Sequence, residues 1–317
     1  MRPDVYRLLC CLAGLAAWIA AGGCDDSDGS GAAGVRLVFG HTGMGPGEFS
    51  YPRAAALSPD GRLYVVDKAA RIQCFALDGQ FVLDWRMPEW SAGKPTGLGI
   101  GPDGKVYAAD THYSRVMIFD AAGTCVGQFG TRGPGPGQFL LPTDVAVADD
   151  GCLFVSEYGG NDRISKFSPE LRYLFSFGGP DAGEARLARP QTLRLVEDGT
   201  LWVTDACNHR LCHFGADGRF LGAFGRSGTG PGELRFPYGL DVLSDGTFVV
   251  AEYGNNRLQR FDRTGRSLGV WGKAGRRQGQ LAYPWAVVAA PGDRLFVVDS
   301  GNNRIQVVSA LASGVWR

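Results

Sequence analysis

Six times along the chain a proline is followed, fifteen residues later, by an acidic residue and then, within a few residues, by an arginine. The prolines are Pro52, Pro95, Pro142, Pro190, Pro237 and Pro284. The acids are Asp67, Asp110, Glu157, Asp205, Glu252 and Asp299, and the arginines Arg71, Arg115, Arg163, Arg210, Arg257 and Arg304. Successive units lie about 47 residues apart, after a shorter first interval. A period of this size marks a repeat architecture and decides the fold class ahead of any other feature. It also sorts the residues. Those found in every unit serve the unit, and those that depart from it are where individual function can sit.

Each unit reads as four short strands. In the fifth, Gly239–Leu243 is apolar, Ser244–Gly246 turns, Phe248–Ala251 is apolar, Tyr253–Asn256 loops, Leu258–Phe261 alternates, Arg263–Gly265 turns, and Ser267–Trp271 closes the unit. Strands of about five residues between Gly, Asp and Asn turns predict an antiparallel meander. Four such strands repeated about a centre make a propeller blade. No apolar run has the length and spacing of a helix. The predicted fold is all-β, a six-bladed β-propeller of four-stranded antiparallel blades. An aromatic-glycine pair ends most units (Phe129-Gly130, Phe177-Gly178, Phe224-Gly225, Trp271-Gly272), thirteen residues before the next proline. Phe39-Gly40 stands at the same distance before Pro52, so Val35–Gly40 is phased as a last strand preceding the first blade. The ring is therefore expected to close by pairing N- and C-terminal segments. The tail Ser313–Trp316 also resembles a fourth strand, shortened by two residues, and is the other candidate for closure or an added edge.

The segments Leu295–Val307 and Phe248–Leu258, with the glycine-rich stretch Gly228–Pro237, resemble the core and inter-blade loop of the NHL repeat, and the resemblance runs from residue 35 to the end. It implies the propeller directly. Functionally it implies a binding platform for protein or RNA, and related six-bladed propellers include enzymes, so function has to be argued from the site.

Residues 1–23 differ from the rest. Arg2 and Arg7 stand at the start of an apolar stretch from Leu8 to about Ala21, which has signal-peptide proportions and is short for a membrane span. It ends in Ala21-Gly22-Gly23-Cys24, which resembles a bacterial lipobox, with Ala21 where Leu is commoner. The resemblance implies lipidation of Cys24, a lipid bilayer as partner, and an exported, membrane-anchored protein on the periplasmic or cell-surface face; Asp25 hints at inner-membrane retention. Residues 24–34 read as a polar tether and 35–317 as the propeller. Lys+Arg and Asp+Glu are both 32, so no net charge attracts nucleic acid. Five cysteines remain beyond Cys24, an odd number; Cys207 and Cys212 flank one loop and are either a bridge or a pair of separate thiols.

The acid and arginine of every unit are read as structural, closing the second strand and opening the third, where they can pair and cap loop amides. The variable residues at the loop between those strands and just after each proline are Arg53, Lys68, His112, Tyr113, Asp144, Tyr158, Tyr238, Tyr253 and Trp285. These positions share the face that opens onto the central channel, and aromatics mixed with charges suit contact with a protein or small ligand. Among related propellers, the peptidyl-hydroxyglycine amidating lyase holds zinc with three His, but His41, His112, His209 and His213 fall at four different repeat phases. Calcium-dependent lactonases of this form place carboxylates in the channel, and here only Asp144 and Asp241 could serve. No cofactor is expected, calcium being the ion those carboxylates would suit. Arg226, Arg235, Lys273, Arg276 and Arg277 cluster on loops, diluted by acids, which argues against RNA.

Overall fold

The computed structural model describes residues 34–317. The leader, Cys24 and the tether as far as residue 33 lie outside the described residues. The described chain forms six four-stranded antiparallel sheets. After β1 (Val35–Phe39), blade one is β2 (Pro52–Leu57), β3 (Leu63–Asp67), β4 (Arg71–Phe75) and β5 (Phe81–Arg86). Blade two is β6 (Gly97–Ile100), β7 (Val106–Asp110), β8 (Arg115–Phe119) and β9 (Cys125–Phe129). Blade three is β10 (Leu141–Val147), β11 (Leu153–Tyr158), β12 (Arg163–Phe167) and β13 (Tyr173–Phe177). Blade four is β14 (Pro190–Leu195), β15 (Leu201–Asp205), β16 (Arg210–Phe214) and β17 (Phe220–Phe224). Blade five is β18 (Pro237–Val242), β19 (Phe248–Glu252), β20 (Arg257–Phe261) and β21 (Ser267–Trp271). Blade six is β22 (Pro284–Ala290), β23 (Arg294–Asp299), β24 (Arg304–Ser309) and, outermost, β1. The fifth-blade strands extend one or two residues beyond the expected bounds, because proline opens β18 and the acid and arginine belong to the strands they terminate.

The ring closes through the N-terminal strand. Leu37 pairs with Val307 and Phe39 with Ile305, antiparallel. Arg36 locks the join, its Nη1 donating to the Gly292 carbonyl at 2.9 Å and its Nη2 meeting Asp293 at 2.9 Å. The tail does something else. Val270 and Arg317 exchange backbone hydrogen bonds of 2.7 and 3.1 Å, so the chain end adds an edge to blade five.

One aromatic contact repeats at the seams. The fourth-strand ring of one blade packs on the third-strand Phe of the next: Phe129 on Phe167 at 4.9 Å, Phe177 on Phe214 at 5.0 Å, Phe224 on Phe261 at 5.3 Å. Phe39 on Phe75 at 5.2 Å repeats it across the closure, and Trp85 on Phe119 at 5.6 Å between blades one and two. Each ring buries a large apolar area against a tilted partner. The glycine after the ring is a steric necessity. Gly40 has φ +84, and a Cβ there would fall 2.3 Å from the Phe49 ring.

Cys207 and Cys212 are both free thiols. Cys212 is buried in β16, its Sγ donating to an Asp205 carboxylate oxygen at 3.6 Å, while Cys207 is exposed.

Candidate functional site

The repeated acids and arginines form seam clasps. Each pairs within its blade: Arg71–Asp67 at 3.0 Å, Arg115–Asp110 at 2.9 Å, Arg163–Glu157 at 2.7 Å, Arg210–Asp205 at 2.8 Å, Arg257–Glu252 at 2.6 Å and Arg304–Asp299 at 2.7 Å. Every acid is fully buried. Five accept a backbone N–H from the loop entering their blade, as Asp299 does from Ala282 at 2.7 Å. The arginine forks reach back to carbonyls of that loop, as Arg257 does to Thr229, Gly230 and Glu233. Blade two departs. Its entering segment lacks the glycine-rich pattern, Arg115 takes Glu89 at 2.7 Å instead of carbonyls, and Asp110 Oδ1 is buried without a partner. Burial raises the Asp110 carboxyl against the pull of Arg115.

The residues that break the repeat gather at one mouth of the channel. The inner strands of all six blades line that channel, a cavity of about 160 Å³ with Trp285 among its lining residues. Trp285 and Tyr238 each follow a proline, and their rings meet at 4.9 Å. Tyr253, which follows the blade-five acid, stacks on Tyr238 at 4.6 Å and 25°. Tyr51 Oη lies 3.2 Å from Tyr253 Oη, and its ring stands edge-on to Trp285 at 6.1 Å. Tyr283 reaches Tyr253 at 5.1 Å from the exposed side. Three cations join this cluster. Arg53 lies over Trp285 at 5.4 Å, Lys68 over Tyr51 at 4.8 Å, and Arg189 over both Tyr158 at 5.1 Å and Tyr238 at 5.8 Å. Burial, then the Tyr253 hydroxyl, raises the Tyr51 phenol. Burial also works against the charge of Arg53, and Arg189 adds repulsion.

Local sequence explains the positioning. Tyr51, Arg189 and Tyr283 each precede a proline and hold positive φ of 52, 57 and 52°. Proline disfavours the helical region in the residue before it, and bulky residues rarely take this conformation unaided. Here each N–H is held by a side chain of another blade: Tyr51 by Asn303 at 2.6 Å, Arg189 by Asp162 at 2.9 Å, Tyr283 by Asn256 at 2.7 Å. Phe236, before Pro237, takes the same conformation at φ 49° with its N–H on His209, so this turn belongs to the repeat and sets the direction of whatever side chain stands there.

The structure thus brings together Arg53, Lys68, Tyr158, Tyr238, Tyr253 and Trp285 from the sequence-derived set. It adds Tyr51, Arg189 and Tyr283, each one position before a proline. His112 and Tyr113 are engaged elsewhere, against the segment entering blade two. A Cβ on Gly93 would meet the His112 ring, and Tyr113 Oη accepts from the Ala92 N–H at 3.1 Å. Asp144 accepts the Leu193 N–H of the next blade at 2.9 Å, and burial pushes its carboxyl up to about 7. Asp241 accepts from Arg194 at 2.6 Å and from the Ala289 N–H at 2.8 Å. Both carboxylates therefore join neighbouring inner strands, and the Asp241 one already has a cation. The histidines are dispersed: His41 pairs with Glu48, the His209 ring accepts the Phe236 N–H, and His213 stacks on Trp202 at 4.2 Å. Among the described residues no three His, Cys, Asp or Glu side chains gather as metal ligands would, and no helix is long and apolar enough to cross a membrane. In the basic loops, Arg226 is paired with Glu233 at 3.1 Å.

The NHL repeat family model matches residues 187–214, 234–261 and 281–308. The protein is a six-bladed β-propeller with NHL repeats. It is similar to NHL repeat-containing protein 3 of Homo sapiens, 30% identical over 159 residues, which are 45% of this chain and 43% of that one. It is also similar to peptidyl-glycine alpha-amidating monooxygenase B of Xenopus laevis, 32% identical over 134 residues, 39% of this chain and 15% of the relative. The matched segments span less than half the length of these curated relatives. Among solved structures, a streptogramin B lyase superposes with a TM-score of 0.60 at 17% identity, covering 87% of each chain. A virginiamycin B lyase of Staphylococcus aureus gives 0.58 at 21% identity, covering 83% of this chain and 86% of that one. At these identities the likeness is one of fold.

Proposed function

We propose that this NHL propeller is an exported, membrane-tethered binding module that takes a protein or small ligand at the channel mouth. One observation carries the reading. Five aromatic side chains and two half-buried arginines from several blades converge where the repeat does not require them, around Trp285. Tyr, Trp and Arg are the residues through which binding energy is most often concentrated. The dispersed histidines favour this reading over a zinc lyase. The leader, the lipobox-like Ala21–Cys24 and the polar segment after it support the tether.

Titration calorimetry of wild type, Tyr253→Ala and Trp285→Ala against a panel of peptides and small molecules tests the site. A ligand of the wild type should bind each variant with about 1–3 kcal/mol less affinity. Variants that bind normally but melt early would make the mouth a packing element. Cys24→Ala should abolish partition into a detergent phase, and unchanged partition would remove the lipid from the proposal.

A further inference from the structure

The two half-buried arginines of the mouth, Arg53 and Arg189, differ from the seam arginines in one respect. Among the described residues neither guanidinium is paired with a carboxylate, although the Arg189 backbone N–H donates to Asp162 at 2.9 Å. Arg53 makes one long contact, Nη1 to the Pro95 carbonyl at 3.5 Å, and its Nε is buried without an acceptor. Arg189 has no side-chain hydrogen bond among the described residues, and its Nε is also buried and unsatisfied. A guanidinium offers five donors in a fixed fork, and leaving them unmet away from water is costly. The two lie within electrostatic reach of each other. They flank the touching pair Trp285 and Tyr238, Arg53 at 5.4 Å from the first ring and Arg189 at 5.8 Å from the second. Lys68, exposed over Tyr51, adds a third positive charge. Two like charges held together, with open donors and no carboxylate on either guanidinium, suit an anion, the rings beside them give an apolar wall, and Asp162 on the Arg189 N–H is the acid at the edge.

Resting on the binding reading above, we propose that the mouth recognises an oxyanion, carboxylate or phosphoryl, carried on an aromatic or otherwise planar apolar group. The oxyanion sits between the Arg53 and Arg189 forks, which suit bidentate contact. The planar part lies against the Tyr238, Tyr253 and Trp285 rings. Phenols lend further donors, Tyr51 and Tyr253 being already poised hydroxyl to hydroxyl.

The test uses the purified full-length protein and four probes: acetate, inorganic phosphate, benzoate and phenyl phosphate. Binding is followed by calorimetry and by tryptophan fluorescence, with Trp285→Phe as the control that identifies the reporting ring. Benzoate or phenyl phosphate should bind more tightly than the matching acetate or phosphate, and the better pair tells carboxylate from phosphoryl. Added salt should weaken the binding. The double variant Arg53→Gln/Arg189→Gln should lose at least roughly tenfold in affinity. Should the double variant not fold, each single variant carries the same expectation of a partial loss. Absence of binding by all four probes at up to about 10 mM, or equal binding by the Gln variants, overturns the anion assignment. If a panel ligand without negative charge still loses affinity in Trp285→Ala, only this assignment falls. If no ligand depends on Trp285 or Tyr253, the binding reading falls with it.

Discussion

Arginine is used in two opposite ways in this ring. At the seams, Arg257 sets its Nε against Glu252 at 2.6 Å and its other nitrogens against three loop carbonyls. At the mouth, Arg53 has the Trp285 face and one 3.5 Å contact. Both guanidiniums are partly buried, yet only the first is satisfied by the protein. The difference follows from repetition. A seam must be built at every blade, so its acid, arginine and loop carbonyls recur together and fit one another. The mouth is a place where six inner strands meet once. Its charges are free of that constraint, and its guanidiniums are left without a carboxylate.

The contrast can be broken in several ways. The largest effect should come from the seam that closes the ring. Deleting Val35–Gly40 removes the cover of Phe75 and leaves β24 an unpaired edge, so the melting temperature should fall by on the order of 10 °C or more. Deleting Ser313–Arg317 should cost much less, and equal losses in thermal melts would make the tail a full partner in closure. Arg257→Ala should destabilise by about 3–5 kcal/mol in denaturant titrations, because Glu252 is left buried and charged. Arg115→Ala should cost at least as much, since Arg115 supplies the hydrogen bond to Asp110, whose other oxygen is already unsatisfied. The next effect is pH-dependent. The Asp144 carboxyl is pushed up to about 7 by burial, against about 3.9 in the unfolded chain. Between those values the folded state holds a proton that the unfolded state has lost. Stability from this group is therefore greatest below about pH 4 and declines as pH rises toward 7, by on the order of 4 kcal/mol. Asp144→Asn should flatten that slope and be the more stable protein at pH 8, and an unchanged slope in melts across this range would reject the account. The smallest effect is expected at the mouth. Arg53→Gln and Arg189→Gln should each shift stability by no more than about 0.5 kcal/mol; losses as large as that of Arg257→Ala would show the two charges to be structural.

Much of this was legible in the period alone. The clasps, the seam rings and the N-terminal closing strand all follow from residues that recur at fixed phase, because six copies average out local accident. The mouth was legible in part. Arg53, Tyr238 and Trp285 stand directly after prolines, and Lys68, Tyr158 and Tyr253 directly after the acids. Tyr51, Arg189 and Tyr283 were hidden because the residue before a proline is expected to be extended. Their turned backbone depends on Asn303, Asp162 and Asn256, supplied by other blades. His112 and Tyr113 have the right phase but the wrong neighbours, since the segment entering blade two folds over them. Asp144 sits on an inner strand as expected, yet its carboxylate turns sideways to an amide of the next blade, which no single repeat could reveal.

The pairing of β1 with β24 also sets an order of events. Val35 meets Val308, so the first strand of the ring waits for nearly the last one to be made. Until then Phe39 has no blade to belong to, and the sixth sheet lacks its outer strand. The entropy of joining such distant segments rises only slowly with their separation, but the search comes before the contacts that reward it, which slows folding. Blades one to five can form as the chain emerges; the ring cannot. A nascent chain therefore remains an open arc with two unpaired edges until β1 meets β24.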